Sequence, residues 1–212
     1  SILFVAEVYN PMEYRHYVDA GFDYLYDKVG MYDTMRNVIC GNSPTSQITT
    51  AWQWVDPIHD HMLYFLENHD EQRVASDFFA GDAFRAYPAF VVNTLMRSNP
   101  FMVYAGQEYG ERGMDAEGFS GKDGRTTIFD YWTVPSLYRA YVDNSLSEDE
   151  ARLDALYTRI LQIASKEKAV SEGQFFDLMY VNGHFASRQY AFLRKADDEM
   201  MLVVANFADE DV

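Results

Sequence analysis

Polar side chains able to do chemistry fall at three places where apolar, strand-like runs end. Glu7 lies near the end of the run 2–8, Asn68-His69-Asp70 follows the run 62–66, and Gln107-Glu108 follows the run 101–105. A carboxylate inside an apolar strand is unfavourable unless it is hydrogen-bonded or put to use. Glu7 taken singly has a structural reading, pairing with a helix N-terminus or an arginine. Asp70 taken singly can cap a helix beside a core histidine. A metal reading is also open, because His59 and His61 are two residues apart and would share one side of an extended segment, with His69 and acidic neighbours completing a site. Against it, His59 and His61 precede their strand rather than follow it. Catalytic groups of parallel βα folds gather where the strands end, because the following loops converge there.

Those strand ends need a scaffold. The continuous apolar run 2–8, interrupted only by Glu7, predicts a strand buried on both faces of a parallel sheet. Pro11 suits a helix first turn, residues 12–20 read as helical, and Gly21 stops them. A second strand is expected over 22–26, helices over 32–39 and 45–54, a third strand over 62–66, helical segments over 71–79 and 84–97, and a fourth strand over 101–105. Strand and helix alternating four times argues for an α/β fold with a parallel sheet. The polar, Gly-rich stretch 106–135 is long enough to be a functional loop. Ser147 and Glu150 form a capping-box pattern that opens a helix reaching about residue 169, with Leu153, Leu156, Ile160, Leu161 and Ile163 at helical spacing. After Gly173 the pattern turns to β over 175–181, 185–194 and 200–206, which places a domain boundary at 170–174. Both chain ends read as cut from a longer protein.

Three segments, taken together, resemble the α-amylase family of glycoside hydrolases. They are Phe4-Val5-Ala6-Glu7, Phe65-Leu66-Glu67-Asn68-His69-Asp70-Glu71-Gln72-Arg73 and Tyr104-Ala105-Gly106-Gln107-Glu108-Tyr109-Gly110. Their order and spacing resemble the family's barrel strands five, seven and eight. The resemblance implies a partial TIM (β/α)8 barrel over 1–170, followed by the start of a C-terminal antiparallel β domain over 171–212. It implies that Glu7 is the general acid/base, protonating the glycosidic oxygen and then deprotonating water. Asp70 would hold sugar hydroxyls and favour the distorted, oxocarbenium-like ring, and His69 would hydrogen-bond the sugar just before the cleaved bond. Asn68 would assist substrate binding, with Gln107 and Glu108 as supporting groups. The implied substrate is an α-1,4-glucan such as starch or a maltooligosaccharide. A transglycosylase, or a non-catalytic carbohydrate-binding or interaction module on the same scaffold, carries the same motifs.

One departure matters. A retaining glycosidase needs a second, nucleophilic carboxylate about 5–5.5 Å from the acid, which the family supplies in a Gly-x-Arg-x-Asp pattern upstream of the glutamate. No such pattern occurs in these 212 residues. The chain by itself is therefore expected to be inactive. A half barrel with unpaired edge strands is expected to self-associate. No metal site is expected in this chain, although the family's calcium-binding insertion would lie in a longer parent.

Composition narrows the partners. Seventeen Lys plus Arg against 33 Asp plus Glu give a net charge of -16, which repels phosphate backbones and anionic membranes. No run approaches the roughly 18 apolar residues of a membrane span, and the first residues lack the basic start of a signal peptide, so the sequence assigns no location. The one cysteine, Cys40, allows no disulfide within the chain and reads as a buried thiol. Aromatic side chains, 16% of residues, suit stacking on sugar rings as well as core packing.

Overall fold

A computed structural model of the chain describes residues 2–117 and 121–210. They form two compact units. The first comprises residues 1–65, 88–102 and 162–212, and the second comprises residues 66–87 and 103–161. The region 162–212 thus groups with the N-terminal residues.

The first unit contains a four-stranded parallel sheet in the order β1 (Val5–Glu7), β2 (Tyr24–Tyr26), β3 (Met62–Phe65) and β4 (Phe101–Met102). Register runs from Val5 opposite Tyr24, through Leu25 opposite Met62, to Tyr64 opposite Phe101. Helices α1 (Tyr14–Asp19), α2 (Asp33–Ile39) and α3 (Ser46–Val55) connect the first three strands. Leu25, Met31, Met35, Ile48, Met62 and Phe65 are buried, and the Phe65 ring stacks on Tyr32 at 4.8 Å. Helix α4 (Tyr87–Leu95) precedes β4. The expected βα alternation is present.

The first strand differs from its expectation. Only Ala6 of β1 is buried, and Phe4 and Val5 are about half exposed. β1 pairs with a single neighbour, β2, so its other edge and one of its faces meet solvent. An apolar run reports where a strand wants burial, whereas the neighbours decide whether it gets it.

Three antiparallel strands, β5 (Gln174–Asp177), β6 (Gln189–Ala196) and β7 (Glu199–Asn206), form the second sheet of this unit. Residues 185–188, expected to be extended, instead continue a short turn of 3-10 helix. Polar bonds hold the sheet to the helices. The Asp177 carboxylate accepts from Thr49 Oγ1 at 2.7 Å and Trp52 Nε1 at 2.9 Å on α3, and from Tyr190 OH at 2.9 Å. Arg194, buried, donates to the carbonyls of Met96 at 2.7 Å, Ala169 at 3.0 Å and Val170. Burial, with Arg97 nearby, lowers its pKa to about 10. Cys40, at the end of α2, is half-buried rather than buried.

In the second unit, α5 (Pro135–Tyr138) is followed by α6 (Glu148–Lys166), which continues into the first unit and is succeeded there by α7 (Lys168–Ser171). The capping box at α6 forms as expected. Ser147 N donates to Glu150 at 2.8 Å and Glu150 N donates to Ser147 Oγ at 3.2 Å. Residues 71–79 are turns, not the expected helix. Their amides are committed elsewhere. Arg73 N donates to Gly124 O at 2.6 Å and Val74 N to the Glu67 carboxylate at 2.7 Å. No helix of the described residues is long and apolar enough to cross a membrane.

Asp27, directly after β2, is a buried carboxylate that the strand-end pattern did not single out. It accepts from Gly30 N at 3.1 Å and from Tyr14 OH at 3.3 Å. Burial pushes its pKa up to about 6, against opposing hydrogen bonds. The native state therefore keeps this proton where an unfolded aspartic acid, with a pKa near 3.9, has lost it. That part of the stability is present below about pH 4 and is lost as pH rises through about 6, by about 3 kcal/mol in total. Urea unfolding from pH 4 to 8 should show this decline, and Asp27→Asn should flatten it.

Candidate active site

Glu7 ends β1, at the C-terminal end of the parallel sheet. Its carboxylate is exposed and accepts a hydrogen bond from Tyr9 OH at 3.1 Å. Tyr26, opposite Glu7 in the register, is held protonated by burial and by the Glu7 charge. Its hydroxyl rests on Met102 Sδ at 3.2 Å. This gives Glu7 a hydroxyl partner and access to solvent, which a group exchanging protons with a bound ligand needs.

The other expected residues lie in the second unit. Asn68 is buried, and its side-chain oxygen accepts from the amides of Asp70 at 2.9 Å and Glu71 at 2.8 Å. This Asx-type turn points the next two side chains outward. His69 Nε2 and Asp70 Oδ2 lie 3.4 Å apart, with the side chains 44% and 54% exposed. The structure thus brings His69 and Asp70 together and makes Asn68 the brace behind them. No helix begins at Asp70, so it caps none.

Gln107 is buried and internal. Its Nε2 donates to Tyr157 OH at 3.0 Å and its Oε1 accepts from Tyr104 N at 3.2 Å. Glu108 accepts from Gly106 N at 3.0 Å. Gly106 has φ 93°, and a Cβ there would meet Glu111 Cβ at 3.1 Å, so glycine is needed at this turn. Both side chains shape the turn after β4.

Beneath the His69-Asp70 pair lies an ion pair given no role at the sequence level. Glu67 and Arg73 are both nearly inaccessible and meet at 2.8 Å. Arg73 also donates to Thr126 Oγ1 at 2.9 Å and Ala105 O at 2.8 Å, and its guanidinium lies 4.2 Å from the Tyr104 ring centroid. Burial raises the Glu67 pKa, opposed by Arg73. A second lacing runs through Arg125, which donates to Asp70 O at 2.6 Å and is held by Asp123 at 2.9 Å. Glu117, also buried, accepts from Thr127 N at 2.6 Å, and burial raises its pKa. The only sequence signal for this network was the presence of Glu67 and Arg73 six residues apart around the Asn-His-Asp run.

The histidines before β3 serve local structure. His59 Nδ1 is 2.7 Å from Asp56 O and His61 Nδ1 is 3.0 Å from Asp23 O. Among the described residues no group of three His, Cys, Asp or Glu side chains is placed to hold a metal ion.

A four-stranded parallel sheet and a separate three-stranded antiparallel sheet give this chain a fold similar to part of several solved α-amylase-type enzymes. A maltogenic α-amylase, AmyB from Thermotoga neapolitana, superposes with a TM-score of 0.65 at 21% identity, over 98% of this chain and 42% of that enzyme. The structure of AmyP in complex with maltose gives 0.67 at 16% identity, over 97% and 45%. The trehalulose synthase MUTB gives 0.59 at 19% identity, over 98% and 48%. The chain spans less than half the length of these structures. No protein-family profile and no curated protein sequence matches it.

Glu67→Gln should destabilise the second unit by ~3–5 kcal/mol, because it leaves the Arg73 charge buried without its counter-ion. Chemical denaturation checks the size. Replacing Glu67 and Arg73 together by apolar residues should cost clearly less than the sum of the single changes.

Proposed function

We propose that this chain is part of an α-amylase-type retaining glycoside hydrolase acting on α-1,4-glucans. On this reading residues 1–170 supply barrel strands five to eight, with β1 to β4 as those strands, and residues 171–212 begin the C-terminal β domain. The observation that carries it is the placement of the candidate groups. Glu7 sits solvent-accessible at the C-terminal end of β1, and the segment leaving β3 turns His69 and Asp70 outward on a buried brace. A similar fold is found in AmyP, whose structures hold maltose and, as a variant, maltotriose, which supports an α-glucan as the ligand.

The division of labour follows from charge and access. Glu7 protonates the leaving oxygen and later takes a proton from water. Asp70 accepts hydrogen bonds from sugar hydroxyls and stabilises positive charge on the distorted ring, while His69 binds the adjacent sugar. Asn68 fixes the backbone that presents them, and Gln107 and Glu108 hold the turn after β4. The nucleophilic carboxylate comes from outside the present sequence, as does any calcium site.

Two consequences are measurable. The purified chain should not hydrolyse maltooligosaccharides, yet should bind them weakly through His69 and Asp70. His69→Ala with Asp70→Asn should weaken that contact about tenfold. Any turnover by the purified chain would count against a nucleophile supplied from elsewhere, and turnover that survives Glu7→Gln would remove Glu7 from its role.

A transglycosylase reading is favoured by the likeness to the cyclomaltodextrin glucanotransferase CldA, since hydrolysis and transfer differ only in whether water or a sugar hydroxyl attacks the intermediate. Product analysis of a complete parent enzyme, with sugar acceptors present, separates the two.

Self-association belongs to the same proposal. Ile2, Leu3 and Phe4, which lead into β1, and Val5 within it are exposed, as are Met200, Leu202 and Val204 on β7, both strands lying at the edge of their sheets. Such apolar edges favour pairing with another chain. Light scattering should show a dimer or larger species, and a monomeric mass at all concentrations would count against it.

A further inference from the structure

The second unit contains an open cleft of about 900 Å³ that none of the site residues discussed above lines. Its size lies within the range of small-ligand sites. Two of its carboxylates are consumed by structure. Glu111 accepts from Ser136 Oγ at 2.6 Å and Ser136 N at 3.2 Å, and also from Gly113 N at 3.2 Å. Glu150 pairs with Arg139 and closes the capping box of α6. These bonds fix the cleft's walls before any ligand arrives.

Arg112 also lines the cleft but is held by Ala75 O at 3.2 Å and by Asp77, and what remains facing the cleft is a mixed set. Asp115 and Asp149 are exposed, and Asp82 has one oxygen bonded to Phe84 N at 2.9 Å. Arg152 lies over the Phe84 ring at 4.9 Å, and Tyr109 is buried in the wall with its hydroxyl 3.2 Å from Tyr141 OH. Acceptors and a donor thus surround apolar ring surface. The excess of carboxylates disfavours an anion. A neutral polyhydroxylated ligand uses both kinds of partner at once, since each hydroxyl donates to a carboxylate and accepts from a guanidinium, while its C–H face packs on the aromatic ring.

We propose that this cleft is a second saccharide-binding site, separate in its residues from His69 and Asp70, that takes a short neutral oligosaccharide through Phe84, Asp82, Asp115, Asp149 and Arg152. The choice of an α-glucan among neutral saccharides rests on the proposed function. The cleft itself does not.

The test is amide NMR of the intact chain titrated separately with maltotriose, cellotriose, calcium and inorganic phosphate. The expected result is saturable movement of the Phe84, Tyr109 and Asp149 signals with maltotriose, unchanged in the His69→Ala, Asp70→Asn double variant. Phe84→Ala and Asp149→Asn should each weaken it about tenfold. Asp149 is exposed on α6, so its variant keeps the test valid where Phe84→Ala perturbs packing. Cleft signals moving with cellotriose alone would uphold the saccharide site while removing the α-glucan assignment. Movement confined to residues 68–70, cleft binding indifferent to both variants, no movement with either sugar, or saturation by calcium or phosphate alone would overturn the proposal.

Discussion

Arg73 is a charge taken out of water, and the second unit is organised around making that tolerable. An isolated guanidinium in such a place would be strongly destabilising, so its donors are answered by the Glu67 carboxylate, the Thr126 hydroxyl and the Ala105 carbonyl, with Tyr104 against its face. These partners come from two separate stretches of chain, 67–74 and 104–126. Satisfying one side chain therefore fixes the turn that carries His69 and Asp70 against the segment after β4. The Arg125 bond to Asp70 O and the Arg73 N bond to Gly124 O tighten the same seam. Gly124 permits the approach, since a Cβ there would meet Ser76 Oγ at 2.7 Å.

The price of this arrangement is visible in the backbone. Residues 71–79 have a composition that reads as helix, but the amides of Arg73 and Val74 bond to Gly124 and Glu67 instead of to the preceding turn. A helix here would leave Glu67 and Arg73 buried with fewer partners. Burying the charges well outweighs two or three intrahelical bonds, each of net worth near 1 kcal/mol.

The first unit uses the same chemistry for another purpose. Asp177 gathers Thr49, Trp52 and Tyr190, and Arg194 spans the carbonyls of Met96, Ala169 and Val170. Hydrophobic contacts alone would let a sheet slide across helices, being non-directional. Directional bonds from Asp177 and Arg194 set one register. In both units, buried polar groups specify position while apolar burial supplies the driving force.

Much of this was legible in the chain itself. Alternating apolar runs and helical periods gave the four parallel strands and the helices between them, because burial periodicity is a local property of sequence. The Ser147-Glu150 capping box was readable for the same reason, since its partners are three residues apart. The strand-end residues Glu7, Asn68, His69 and Asp70 stood out because polar groups interrupt apolar runs there. Tertiary structure decided the rest. It left β1 with one neighbour and open faces, turned Asn68 from a presumed ligand-facing group into a backbone brace, buried Asp27, and converted 71–79 from helix to turn. The Asn68 brace and the Asp27 bond to Gly30 are short-range but take their burial from the surrounding fold. The open faces of β1 and the turn at 71–79 depend on the environment of a whole strand or on partners far along the chain, such as Gly124 and Thr126 for Arg73, and no local pattern encodes where such partners will stand.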